Sequence, residues 1–300
     1  MPRKKKRLKV GLALGTGAAR GLSQIGVIKA LDRAGVRIHC IAGTSVGAMI
    51  GCGYSVLGNI RKVESIALKT DWKKLFSLVD LRFPTRGLLD GRRVEDFIRY
   101  SIGRADFSEA RIPLAVVATD VSTAERVVIR HGDIAKAVRA SISIPVMFRP
   151  FNHENRCLID GGLVDPVPVR LAREMGADYV IAVNTFYDLK RFFSWNGDEA
   201  LGQGGEILSC EFEEEKVDEN IFGRLNRVIR TPTIIKATIR AISIMERHLA
   251  IPQLHEADAV ITPDVKHIGS TEYTRAADCI ERGERAVEEA LPSILQRISK

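Results

Sequence analysis

Three short stretches of this chain carry residue types that can perform acyl transfer. The first is Gly43-Thr44-Ser45-Val46-Gly47, a serine held between two glycines. A serine hydroxyl is a weak nucleophile that becomes effective when a sharp strand-to-helix turn exposes its oxygen, and such a turn needs small residues on both sides. The second is Gly15-Thr16-Gly17-Ala18-Ala19-Arg20-Gly21. Its small residues bring backbone N–H groups to a helix start, where they stabilise a phosphate or the oxyanion that forms when serine attacks a carbonyl. The third is Asp160-Gly161-Gly162, after the apolar Cys157-Leu158-Ile159. An acid at a strand end, freed by two glycines, can face the same crevice as Ser45, although an Asp-Gly turn that bonds its own backbone has the same sequence.

The elements that must hold these groups can be read around them. His39-Cys40-Ile41-Ala42 predicts a buried strand before Ser45, and Ala48-Met49-Ile50 open a helix after it. Residues 8–14 predict the first strand, and Ile25, Ile28 and Leu31 follow at helical spacing. Two small-residue turns at the ends of neighbouring parallel strands would then face one crevice. Further strands are expected at 114–119, 126–130, 156–159 and 179–183. Helices are expected at 23–34, 46–57, 94–102, 134–141, 168–175 and 274–291. This alternation predicts an α/β fold with a mostly parallel central sheet flanked by helices. Without repeats or long linkers, residues 1–300 read as one domain, with a basic tail over 1–7 and a variable, lid-like insertion over 187–255.

Two competing chemistries can be weighed on the same residues. Dinucleotide binding would place its third glycine one position earlier than Gly21 and an acid where the second strand runs into Gly43-Thr44-Ser45. A hydrolase with a histidine base would draw on His39, His131, His153, His248, His255 or His267, none of which has a motif around it. The order serine, aspartate, histidine could be completed by the last three, but that fold places several strands before the nucleophile and here there is one.

Taken together, the three ordered motifs resemble the patatin-like phospholipases, specifically their bacterial single-domain, cytosolic branch. The resemblance covers roughly residues 8–186 and, loosely, 256–290, including Val117-Ala118-Thr119-Asp120, the stretch from Ala140 to Pro145 and that from Val164 to Pro168. It implies a patatin-like three-layer sandwich and a Ser-Asp dyad without histidine, with Ser45 as nucleophile and Asp160 as base. It also implies an oxyanion hole at Gly17, Ala18 and Ala19, supported by Gly15, Arg20 and Gly21. Gly43 and Gly47 would form the nucleophile elbow, and Gly161 and Gly162 the DGG motif. The implied activity is metal- and cofactor-free hydrolysis of an acyl ester of a phospholipid, lysophospholipid or related lipid. Thr16 and Ala18 stand where the family commonly has glycine, yet their backbone N–H groups survive and the hole is expected to persist. The alternative of another class is a regulatory or scaffold protein on this fold with weak or no turnover.

Composition bounds the rest. An apolar content of 45% over 300 residues can build a full core. Five cysteines without metal-ligand spacing, with Cys40, Cys52 and Cys157 in apolar runs, suit a reducing, cytoplasmic compartment. Arg3-Lys4-Lys5-Lys6-Arg7 imitates the start of a signal peptide, but the following apolar run is short and already serves as strand and oxyanion loop. The net charge of +8 is compatible with peripheral contact at an anionic inner membrane face, and no recognition motif for nucleic acid accompanies it. Ile235, Ile239, Ile242, Met245 and Leu249 share a predicted helical face, which suits a membrane surface, a cover over the crevice or a contact in a homo-oligomer.

Overall fold

The computed structural model describes residues 8–72, 91–186 and 233–298. The predicted tail at 1–7, most of the 187–255 insertion, and Cys210 lie outside these residues. A single sheet runs in the order β5-β6-β3-β2-β1-β7-β8, with β4 on β3. Its strands are β1 (Val10–Leu14), β2 (Ile38–Thr44), β3 (Leu114–Asp120), β4 (Arg126–Ile129), β5 (Phe151–His153), β6 (Arg156–Asp160), β7 (Tyr179–Val183) and β8 (Ala259–Ile261). The run β3-β2-β1-β7-β8 is parallel, whereas β4, β5 and β6 pair antiparallel, so the sheet is mixed.

The period-two pattern of the strands sorts residue size by face. Leu12, Leu14, Ile41, Val116, Ile181 and Val183 fill one side, while Ala13, Cys40, Ala42, Ala115, Val180 and Ala182 fill the other. The large-residue side is covered by α1 (Ser23–Arg33), α2 (Val46–Leu57), α3 (Ile60–Lys69), α4 (Arg92–Ile102), α5 (Ile134–Ser141) and α8 (Ala276–Ile298). The small-residue side lets α6 (Val169–Glu174) and α7 (Thr233–His255) approach closely. Helices on both faces of one sheet give the expected three layers.

α1 and α8 pack backbone to backbone. A Cβ on Gly26 would strike the Ile280 carbonyl, and one on Gly283 would strike the Ser23 carbonyl.

The topology around β3 decides where the chemistry sits. Val116 and Val117 pair with β4 and with β2, and Ala118 and Thr119 pair with β4 and with β6. A strand has two edges, so β2 and β6 share one and meet there end to end. Thr44-Ser45 and Asp160, far apart in sequence, are thereby brought to one junction. Register also sets Leu14 beside Gly43, which places the loop after β1 next to the loop after β2. Crevices of open α/β sheets form at such C-terminal strand ends.

Most expected elements are present within two residues of their predicted bounds, α8 excepted, which runs seven residues past its predicted end at 291. Along the apolar stripe on α7, Met245 and Leu249 are exposed and Ile239 and Ile242 are half-buried, while Ala250 is buried. α7 meets the small residues of its neighbours through Ala250. The side chain of Ile235 lies outside the described set. No helix among the described residues is long and apolar enough to cross a membrane.

Candidate active site

Ser45 lies between β2 and α2 with φ 56 and ψ −123, a backbone conformation that costs a non-glycine residue about 1–3 kcal/mol. The strain persists because its surroundings fix it. The Ser45 N–H donates to Ser141 Oγ at 2.8 Å, and Thr44 Oγ1 donates to the Asp165 carbonyl at 2.8 Å. α2 crosses β1 and β2 at backbone contact: a Cβ at Gly47 would collide with the Leu14 carbonyl, and one at Gly43 would lie 2.7 Å from Ala48 Cα. The predicted elbow glycines are therefore spacers, and the N-terminal end of α2 points at Ser45.

Asp160 ends β6. Its N–H donates to the Ser143 carbonyl at 3.0 Å, and its carbonyl accepts from Thr119 Oγ1 at 2.8 Å, which locks the backbone. Its side chain accepts two hydrogen bonds, Oδ2 from Ser45 Oγ at 2.8 Å and Oδ1 from the Gly162 N–H at 2.8 Å. Burial pushes the carboxyl up to about 7, against the opposing effect of those two donors. Gly161 sits against the Val117 carbonyl and Thr44, at the β2–β6 junction.

The glycine-rich loop is held from three sides. The Thr16 N–H donates to the Pro166 carbonyl at 2.9 Å, Gln24 Nε2 to the Gly15 carbonyl at 2.9 Å, and Thr185 Oγ1 to the Thr16 carbonyl at 2.6 Å. Gly17 and Ala18 follow with φ 142 and φ 49, and no partner for either N–H is seen among the described residues. Ala19 departs from expectation: its N–H donates to the Ser270 carbonyl at 3.1 Å and is not free for an oxyanion. Arg20 Nε donates to the Ile268 carbonyl at 2.6 Å, so the 268–270 segment props the loop from below. A Cβ at Gly21 would strike Val46, which ties the loop to α2.

Ser45, Asp160 and the Gly17-Ala18 turn thus meet at one junction, with Ser45 6% and Asp160 2% exposed. None of the six histidines hydrogen-bonds Ser45 or Asp160. His267 pairs with Asp278, and His131 and His153 lie near Glu154. The arrangement offers a hydroxyl beside a carboxylate with a raised pKa, at a helix N-terminus, next to unpaired backbone donors. That set suits attack on a carbonyl and stabilisation of the resulting oxyanion.

Three further groups border this junction. Ser141 belongs to a stretch already singled out, although nothing in its spacing marks its contact with Ser45. Tyr273, at the 3-10 turn Tyr273–Arg275, stacks on Trp72 at 5.1 Å, and burial with the Asp160 charge pushes its phenol up. Glu246 comes from α7: a Cβ on Gly162 would collide with its Oε1 and would also lie 3.1 Å from Asp160 Oδ1. The one sequence signal for Glu246 is an acid set at helical spacing among Ile239, Ile242 and Ala250.

Comparison with known proteins accords with this geometry. An uncharacterized NTE family protein of Mycobacterium tuberculosis is 32% identical over 240 residues, covering 80% of this chain and 61% of that relative. The chain thus spans less than two thirds of the mycobacterial relative it matches. Patatin-like phospholipase domain-containing protein 6 of Homo sapiens is 30% identical over 200 residues, which is 64% of this chain and 14% of the human protein. Among solved structures, VipD from Legionella pneumophila shares the fold, with TM-score 0.52 and 15% identity over 96% of this chain and 67% of its own. The family model for patatin-like phospholipase matches residues 12–173, which span both Ser45 and Asp160, and the chain belongs to that family.

Proposed function

We propose that this protein is a serine acyl hydrolase of lipid esters working through a Ser45–Asp160 dyad. The observation that carries the reading is the 2.8 Å hydrogen bond from Ser45 Oγ to Asp160 Oδ2 at a strained elbow. Membership of the patatin-like family and the name of a relative, Lysophospholipase NTE1 of Phaeosphaeria nodorum, 31% identical over 182 residues, point to the same substrate class.

In the acylation step, Ser45 Oγ attacks the ester carbonyl carbon as its proton passes to Asp160 Oδ2. The carbonyl electrons move onto oxygen, where the Gly17 and Ala18 N–H groups receive the charge. Collapse expels the alcohol, which takes the proton back from Asp160. Water then repeats the sequence on the acyl-serine and releases the fatty acid. A carboxylate of ordinary pKa is a poor base for serine, and the burial that raises Asp160 narrows that gap.

On this reading the acyl chain runs among apolar side chains of α1, α2 and α4, where a small apolar cavity of about 50 Å³ is lined by Ile25, Met49, Ile50, Trp72, Phe97 and Ile98. Met49 stands one helical turn beyond Ser45, and Trp72 stacks on Tyr273 beside the junction.

Hydrolysis of short- and long-chain p-nitrophenyl esters by wild type, Ser45→Ala and Asp160→Asn, with chelator present, tests the reading. Turnover in the wild type alone supports it. Turnover retained by either variant removes the dyad, and a wild type as inert as both variants moves the assignment to the scaffold class.

A further inference from the structure

One ionisable group reaches the reaction site without a part in the hydrolysis just described. Glu246 projects from α7, outside the residues matched by the family model, and its Oε1 lies against Gly162 beside Thr16 Cγ2 and Asp160 Oδ1. Two carboxyl groups therefore share the space above one glycine. The two are not equivalent. Asp160 accepts from the Gly162 N–H and from Ser45 Oγ, whereas no hydrogen bond to Glu246 is seen among the described residues.

Among the described residues, no cation is seen to neutralise the pair. At Gly162 the groups beside Glu246 are Thr16 and Asp160, which supply no cation. On α6, Arg170 is engaged by Glu256 and Arg173 by Asp258, and Asp165 is held by Arg126. Arg240, Arg247 and His248 belong to α7 itself, and Arg240 and Arg247 have interactions of their own. Two carboxylates drawn to one glycine at a largely buried junction cannot both ionise freely, and the single charge settles where donors already point.

We propose that Glu246 is a positioning residue: with Asp160 it forms a carboxyl pair that holds one proton on Glu246 and leaves the charge on Asp160, facing Ser45. The inference rests on the Ser45–Asp160 reading above. Through acylation Glu246 keeps its proton. The Ser45 proton goes to Asp160, the pair becomes neutral, and Asp160 returns that proton to the departing alkoxide. Loss of the Glu246 proton at higher pH creates a two-charge pair beside the oxyanion loop and changes the rate. The Asp160 charge and burial both hold the Glu246 carboxyl up, to about 8.

The test combines infrared titration of the protonated-carboxyl band with pH profiles of kcat/KM, for wild type, Glu246→Gln and Asp160→Asn, with Ser45→Ala as the hydrolysis blank. In the wild type two buried carboxyl transitions appear as pH rises, the upper of which E246Q lacks, and in D160N the remaining Glu246 band titrates away at lower pH because the neighbouring charge is gone. The wild-type to E246Q ratio of kcat/KM is constant on the acid side and changes several-fold, on the order of tenfold, as pH rises through the Glu246 transition. An upper carboxyl transition that survives in E246Q, or a ratio that stays constant throughout, overturns the proposal. Turnover by Ser45→Ala would defeat the dyad reading instead, while the infrared titration needs no turnover and still decides where the proton resides.

Discussion

Replacing Asp160 by asparagine should stabilise the protein while abolishing turnover, and the gain should grow with pH. Burial raises the Asp160 carboxyl from an ordinary 3.8 to about 7. Because the folded-state value is the higher one, the associated stability is fully present below the unfolded-state pKa and is lost as pH rises through the folded one. At about 1.4 kcal/mol for each tenfold change, burying the Asp160 carboxyl costs about 2 kcal/mol near pH 5, where it stays protonated in the fold, and about 4 kcal/mol near pH 8, where it ionises there. Asparagine has no charge to bury, keeps an oxygen for the Gly162 N–H, and lets the Ser45 hydroxyl turn round to accept from its amide. For a chain of this size roughly 2 °C of melting temperature corresponds to each kcal/mol. D160N should therefore melt about 4 °C above wild type near pH 5 and about 8 °C above it near pH 8. The assay is thermal unfolding of both proteins across that range, followed by circular dichroism. A gap that does not widen with pH, or a D160N protein less stable than wild type near pH 8, refutes the claim that Asp160 is held ionised at a cost.

Other consequences follow from packing. Met49→Trp fills the small apolar cavity that Met49 lines, and excluding about two methylenes at 0.8 kcal/mol each should lower the long-to-short ester ratio of kcat/KM roughly 15-fold. An unchanged ratio would place the chain elsewhere. Gly26→Ala drives a methyl into the Ile280 carbonyl between α1 and α8 and should cost about 1–3 kcal/mol, read as a fall in the urea midpoint. Gly47→Ala, pressed against the Leu14 carbonyl, should displace α2 and lose esterase turnover at temperatures where the fold persists.

The sequence made the site more legible than its surroundings. Ser45 and Asp160 stand at strand ends marked by glycine, and β1, β2, β3 and β7 are short apolar runs that can be read directly. The strands β5 and β8, three residues each, are too short to show a period, and their pairing depends on β6 and β7. Helix α3 also goes unread, although Ile60, Val63 and Ala67 lie at helical spacing and Asn59 caps it. What local pattern cannot carry is the sharing of one β3 edge by β2 and β6, because it arises from the ends of two ladders. The engaged N–H of Ala19 and the place of Glu246 are of the same kind. Each depends on a segment more than 80 residues away, Ser270 in one case and Asp160 in the other.

The central claim is that Ser45 is the nucleophile, and covalent labelling tests it most directly. A fluorophosphonate ester incubated with wild type, Ser45→Ala and Asp160→Asn, followed by peptide mass spectrometry, should place one adduct on Ser45. The adduct should be absent from Ser45→Ala and form much more slowly in Asp160→Asn. An adduct on another serine, or undiminished labelling without Asp160, would contradict the account.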